Sequence, residues 1–292
     1  MDLIKQSIER LKLAAETSLR LYHAPLIVTT SGGKDSSVCV ELAQRAGIEF
    51  EIQHNHTTAD APETVRFVRQ EFRRLEEKGV KCTVIFPYYS GVRCSMWSLI
   101  PMKGIPPMRT KRYCCTVLKE QGGQGRYIAT GVRWAESVSR AKNRGIYEAG
   151  RELILANDND EKRRLFETCN LKGKRVCNPI VDWTDDDVWD FIRSEKVPVN
   201  PLYECGFSRV GCIGCPMAGK HGREIEFAKW PGDKRLYIKA FQKMLEERAR
   251  RGKLEGGVRW GETAEDVFHW WMDDGVLPGQ ETLEGFGETD EV

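Results

Sequence analysis

The stretch Leu26–Ala43, LIVTTSGGKDSSVCVELA, decides the fold. Its opening is apolar and β-branched, the composition of a strand buried in a sheet. Two glycines follow, and a helical pattern begins at Asp35. Gly32 and Gly33 can take φ > 0 and turn successive backbone N–H groups toward one point. The helix that follows directs its positive end at the same place. Lys34 adds a mobile charge, and Ser31, Ser36 and Ser37 bring hydroxyls. All of this suits phosphate; the alternative is a plain left-handed turn between strand and helix. The spacing is neither G-x-x-x-x-G-K-[ST] nor G-x-G-x-x-G, so a Walker A loop and a dinucleotide fingerprint are both excluded.

Working outward, residues 2–22 carry Leu3, Ile4, Ile8, Leu11 and Leu19 at helical spacing. The pattern predicts strand 25–30, helix 35–46, strand 49–54, helix 62–78 opened by Pro62, and strand 81–86. This β-α-β-α-β order predicts an α/β fold, a doubly wound parallel sheet with helices on its faces. Residues 87–111, rich in Pro, Gly, Met and Ser, read as a long functional loop. A short helix is expected over 113–120, a strand over 126–131 and an irregular basic insertion over 139–178. Thr184 caps a helix with acids in its first turn, Val188 and Ile192 facing inward with Trp189. Residues 224–250 read as a strongly helical and charged segment, followed by a Gly- and acid-rich tail. The expected organisation is an N-terminal helix (1–22), a nucleotide-binding domain (23–218) and a helical C-terminal extension (219–292). Phe268, Trp270 and Trp271 would form the core of that extension or a docking face.

With 40% hydrophobic and 30% charged residues among 292, disorder of the whole chain is excluded. Forty-five basic against 43 acidic residues leave a net charge of +2. The basic residues nevertheless cluster, at 109–112, 140–144, 162–164 and 172–175, which raises the odds of an anionic partner. No apolar run approaches the roughly 18 residues that span a bilayer, and the N-terminus lacks the pattern of a secretory signal. The expected location is therefore the cytoplasm, with no membrane partner. Ten cysteines then point to thiols, metal or catalysis rather than disulfides.

The sequence SGGKDS after an apolar strand resembles the PP-loop of the ATP pyrophosphatase (adenine nucleotide alpha-hydrolase) superfamily. "HTTADAPET" (56–64), "TGVRWAESVSR" (130–140), "NPIVDWTDDDVWDFI" and "NPLYECGFSRVGC" resemble its phosphoadenosine phosphosulfate reductase-like branch, with similarity to the sulfur-activating subunit of DNA phosphorothioation. The resemblance covers roughly residues 20–218. It implies that Ser31–Ser36, His56, Thr57, Gly131, Arg133, Glu136, Ser137 and Arg140 bind an adenine nucleotide. It further implies that Asp35 helps hold Mg²⁺, or caps the helix, and that Lys34, Asp35 and Arg133 are catalytic. Arg133 and Arg140 suit bidentate binding of anionic oxygens. His54-Asn55-His56 stands at a strand end, outside the ββα setting that an HNH nuclease needs.

Cys114-Cys115 and Cys212-Ile213-Gly214-Cys215 are similar to the [4Fe–4S] ligands of adenylyl-sulfate reductases, and Cys205 adds a fifth candidate. Thiolates suit an iron–sulfur cluster or zinc; the zinc alternative uses Cys205, Cys212, Cys215 and His221. Cys39 reads as core. The family's reductases end in a segment whose cysteine attacks the sulfate sulfur. No cysteine follows Cys215 here, so that nucleophile would have to be Cys205 or Cys94.

The expectation is thus an enzyme that cleaves the α–β phosphate bond of ATP in a sulfur-transfer or nucleic-acid modification pathway. A sulfur donor such as a cysteine desulfurase and a nucleic acid are the implied partners, and an oligomer is compatible. The alternatives are an adenylyl-sulfate or phosphoadenylyl-sulfate reductase, and a non-catalytic nucleotide-binding subunit of a nucleic-acid defence complex.

Overall fold

The computed structural model describes residues 2–149, 153–155, 173–252 and 260–274. The chain folds as two compact units. The first takes Met1–His56, Asp60–Pro87 and Lys119–Gly211; the second takes Thr57–Ala59, Tyr88–Leu118 and the chain from Cys212 onward.

The first unit is a seven-stranded sheet with flanking helices. Its elements are α1 (Leu3–Tyr22), β1 (Leu26–Thr30), α2 (Lys34–Ala46), β2 (Phe50–Asn55), α3 (Pro62–Glu76) and β3 (Lys81–Ile85). The second unit contributes β4 (Tyr88–Tyr89), β5 (Val92–Arg93), α4 (Met96–Lys103) and α5 (Tyr113–Leu118). The first then resumes with β6 (Tyr127–Ala129), α6 (Val138–Asn143), β7 (Tyr147–Ala149), β8 (Leu153–Leu155), β9 (Arg175–Cys177) and α7 (Asp185–Glu195). Strand order is β3-β2-β1-β6-β9-β7-β8. β3, β2, β1, β6 and β9 run parallel, with Leu26 opposite Phe50 and Ile27 opposite Ile128. The order reverses between β1 and β6, the switch point at which open α/β sheets bind ligands.

Two antiparallel strands, β7 and β8, extend the expected parallel sheet on the β9 side. They fall in the region that reads as an irregular insertion, because three-residue strands carry too little periodicity to register. Residues 156–172, including Lys162-Arg163-Arg164 and Cys169, lie outside the described residues, as does the acidic tail.

The N-terminal helix buries Leu11, Ala14 and Ala15, whereas Leu19 faces solvent. Its polar residues anchor it. Ser7 Oγ donates to the Pro179 carbonyl at 2.8 Å, and Arg10 grips Asp182 with two nitrogens at 2.7 and 2.9 Å. Trp183 is fully buried, donates to Ser7 Oγ at 3.1 Å and packs edge-on against Phe191.

The second unit corrects one expectation and refines another. Residues 87–111 are not a continuous loop. Ser90 and Gly91, both at positive φ (52° and 78°), close the β4–β5 hairpin. Ser95 and Ser98 then form a reciprocal cap that opens α4, and Gly104 ends it in the left-handed region. The helical segment expected over 224–250 is built of two helices, α8 (Gly219–Lys229) and α9 (Pro231–Arg250), because Pro231 cannot continue one and starts the next. A further helix, α10 (Ala264–Met272), opens on a Thr263–Asp266 capping box and buries Phe268 and Trp271 as core of this unit.

Trp183→Ala is expected to cost about 3–5 kcal/mol of unfolding free energy, since it opens a large cavity and strips Ser7 of its donor. Denaturant titration followed by circular dichroism measures it.

Candidate functional site

The glycine turn sits at the carboxyl end of β1. Gly32 takes φ +76°, and a Cβ there would stand 2.9 Å from Thr64 Cγ2 and 3.1 Å from Val68 Cγ2. Only glycine meets both the backbone and the packing demand. Gly33 is the cap of α2 and makes no side-chain cap, so Asp35 does not close the helix end. Hydroxyls brace the loop: Thr30 Oγ1 accepts the Gly32 N–H at 3.2 Å, and Ser36 Oγ donates to the Gly33 carbonyl at 2.7 Å while accepting the Ser31 N–H at 3.3 Å.

The second motif presses directly on the first. A Cβ on Gly131 would lie 2.8 Å from the Asp35 carbonyl carbon and 2.9 Å from the Ser36 nitrogen, so no side chain fits. Two residues on, Arg133 is 2% exposed. Its Nε donates to Asp35 Oδ1 at 2.6 Å, one terminal nitrogen donates to the Trp183 carbonyl at 3.2 Å, and the other pairs with Asp185. Lys34 Nζ donates to the same Asp185 oxygen at 2.8 Å and lies 3.4 Å from Asp35. Two cations and two carboxylates from three segments thus form one network. The three residues expected to be catalytic are together, and Asp185 joins them. Its place in the first turn of α7 reads in sequence only as dipole compensation.

Glu136, Ser137 and Arg140 act on each other instead. Glu136 accepts the Arg133 N–H at 2.9 Å and pairs with the Arg140 guanidinium, while Ser137 Oγ accepts the Arg140 N–H at 3.2 Å and caps α6. Asn200 and Tyr203, from the NPLYECGFSRVGC stretch, are further residues that hold the loop. The Tyr203 hydroxyl accepts the Lys34 N–H at 2.9 Å, and burial pushes its pKa up to about 12. Asn200, fully buried, donates to the Gly32 carbonyl at 3.3 Å and to Thr64 Oγ1 at 2.9 Å.

The thiols gather in the second unit. Cys114, Cys115, Cys212 and Cys215 are close enough that the Cys115 hydrogen bond, burial and the other two sulfurs together hold the Cys114 thiol far above its ordinary range. Arg112 donates to Cys115 Sγ at 3.3 Å. Thr57 falls in this unit, its Oγ1 3.3 Å from Cys212 Sγ. Cys205 is exposed and belongs to the first unit. His221, its side chain 87% exposed, faces Glu224 on its own helix at 3.9 Å, so it is not gathered into a thiol site.

The turn of Cys212–Cys215 is held by an aromatic wall. Gly214 takes φ +69°, and a Cβ there would meet Phe227 Cζ at 2.7 Å, Tyr237 Cε2 at 2.8 Å and Trp271 Cη2 at 3.1 Å. Its N–H donates to Glu226 at 2.6 Å, and the Tyr237 hydroxyl donates to the Ile213 carbonyl at 2.9 Å.

A mostly parallel sheet with this glycine loop at its switch point defines a PP-loop domain of the adenine nucleotide alpha-hydrolase superfamily. The chain belongs to the phosphoadenosine phosphosulfate reductase domain family, which it matches over residues 25–218. It is 26% identical over 215 residues to the adenosine 5'-phosphosulfate reductase of Allochromatium vinosum, covering 70% of this chain and 73% of that one. It is 27% identical over 251 residues to the uncharacterized protein MJ0066 of Methanocaldococcus jannaschii, covering 81% of this chain but spanning only 45% of that relative's length. Among solved structures, the phosphoadenylyl-sulfate reductase of Candida auris gives a TM-score of 0.45 at 16% identity, over 71% of this chain and 88% of that one. Among the described residues no helix is long and apolar enough to cross a membrane.

Hydrogen bonds from Lys34 and Arg133 hold the Asp185 carboxyl below its usual 3.8. A depressed carboxylate contributes stability that is fully present above its unfolded pKa and lost as pH falls through the folded one. The stability difference between the protein and Asp185→Asn should therefore be constant at pH 5–7 and shrink below about pH 3.8. Urea titrations at stepped pH measure it; a difference that grows toward acid would contradict the network.

Proposed function

We propose that this chain binds an adenine nucleotide at the Gly32–Ser36 loop and cleaves ATP between its α- and β-phosphates, within a sulfur-transfer or nucleic-acid modification pathway. The observation that carries the reading is the juxtaposition of that loop with the Lys34–Asp35–Arg133–Asp185 network at the sheet's switch point. Phosphate oxygens would accept N–H groups of the loop and the α2 terminus. Lys34 and Arg133 bring positive charge toward the pyrophosphate as it leaves, while the adenylyl group passes to an acceptor oxygen. Asp35 and Asp185 are the hard oxygen donors that fit Mg²⁺, which would screen the phosphate charge. The soft donor set of Cys114, Cys115, Cys212 and Cys215 fits a [4Fe–4S] cluster, which would handle sulfur or electrons.

A second reading is reduction of an adenylyl sulfate, supported by the name of the Allochromatium relative and by the two thiol pairs. It needs a nucleophilic thiol. Of the two candidates, Cys94 is buried and Cys205 is exposed, so Cys205 fits that role better.

Incubation with ATP and with adenylyl sulfates side by side separates these readings. Pyrophosphate from ATP is expected, falling by about 10²-fold or more in Lys34→Ala and Asp35→Ala. Sulfite without pyrophosphate supports the reductase, and nucleotide binding without either product supports a non-catalytic subunit. For the thiols, protein purified without oxygen should absorb broadly near the violet edge and carry about four irons. Cys212→Ser should lose both properties, whereas a colourless protein with a single zinc would overturn the cluster.

A further inference from the structure

The end of β2 carries a cluster that the nucleotide loop does not use. One ligand nitrogen each from His54 and His56 and one carboxylate oxygen of Asp60 all lie within 4.8 Å of one another. His54 is 4% exposed, and the Asp60 side chain 7%. His54 Nδ1 is 2.9 Å from the Thr30 carbonyl oxygen. A carbonyl only accepts, so the proton sits on Nδ1 and Nε2 presents its lone pair. This is how proteins fix a metal-binding imidazole: the far nitrogen donates to a backbone or carboxylate oxygen, and the near one ligates. His56 Nδ1 lies 3.4 Å from Asp60 Oδ2, and the edge of Phe86 packs the same imidazole at 5.6 Å between centroids. A His–carboxylate contact alone would account for His56. It gives no reason for a second imidazole to bring a ligand nitrogen to the same point.

We propose that His54, His56 and Asp60 form a site for a divalent first-row transition ion, separate from the thiols and from any Mg²⁺ on the nucleotide. The donor set decides the class. Two imidazoles and one carboxylate suit zinc, iron(II), cobalt(II) or nickel(II), whereas Mg²⁺ and Ca²⁺ take oxygen ligands. Metal–donor bonds of about 2.0–2.2 Å place such ligands about 3–3.5 Å apart, a contraction within reach of side-chain rotation. Three protein ligands leave coordination positions for water or an anionic oxygen, as in sites that act on a substrate. The ion would also be tied to the loop, because the carbonyl of Thr30 holds His54 while its hydroxyl accepts the Gly32 N–H.

Titration of the full chain with Co²⁺, without nucleotide and under reducing conditions, tests the site. One equivalent should bind with weak visible bands and without the intense near-ultraviolet absorption of cobalt–thiolate bonds. His56→Ala and the isosteric Asp60→Asn should each weaken that equivalent at least tenfold, with folding confirmed by thermal melts. Cys212→Ser and Lys34→Ala should leave it intact, so failure of the nucleotide loop is distinguishable from failure of this site. Undiminished binding in both His56→Ala and Asp60→Asn, or absorption of the thiolate type alone, would overturn the proposal.

Discussion

Arg133 is the constraint on which the glycine-loop end of the sheet depends. A guanidinium buried at 2% exposure is tolerable only when its donors are met, and here they are met by Asp35, Asp185 and the Trp183 carbonyl. The partners lie on two other segments, the α2 terminus and the start of α7, so one side chain ties the β6 exit to both. Lys34 closes the arrangement and leaves it without net charge. Buried ion pairs are weak sources of stability, but removing one member strands the others. The planar fork makes lysine a poor substitute at this position. Gly131 belongs to the same constraint, since its missing side chain is what lets the β6 exit touch the loop backbone.

The second unit shows the same logic in apolar form. The CxxC turn is held by rings rather than charges: Phe227, Tyr237 and Trp271 leave Gly214 no room for a side chain. This gives α8, α9 and α10 a role that the sequence of residues 219–292 does not disclose, which is to set the spacing of Cys212 and Cys215. Trp271 is tied in turn to the Pro107 carbonyl at 2.6 Å, which joins the wall to the segment preceding Cys114 and Cys115.

What was legible in the sequence follows from how local each signal is. The alternation of apolar strands with periodic helices from Leu26 to Ile85 is local, and the elements stand within two residues of their expected bounds. The Thr184 cap and Pro62 at the start of α3 are local too. The hairpin and α4 escaped because two-residue strands have no period, and because a Ser-x-x-Ser cap is weaker than the Ser/Thr-x-x-Glu form. Asp185, Asn200 and Tyr203 act on a loop more than 150 positions earlier in the chain, so no window of sequence contains the interaction. The histidines at 54 and 56 were visible, but their meaning required Asp60 and the Thr30 carbonyl in three dimensions.

The interleaving of the two units has a consequence for biosynthesis. The second unit borrows Thr57–Ala59 and Tyr88–Leu118 from the early chain and completes itself from Cys212 onward. Trp271 leaves the ribosome 157 residues after Cys114. At about 5–20 residues per second, the first thiol pair waits roughly 8–30 s for the wall that orders its partners. Throughout that interval Cys114 and Cys115 are nascent-chain thiols with no finished pocket. The wall around Gly214 is thus completed well after Cys114 and Cys115 are made, and for that interval the first pair stands open to oxidation.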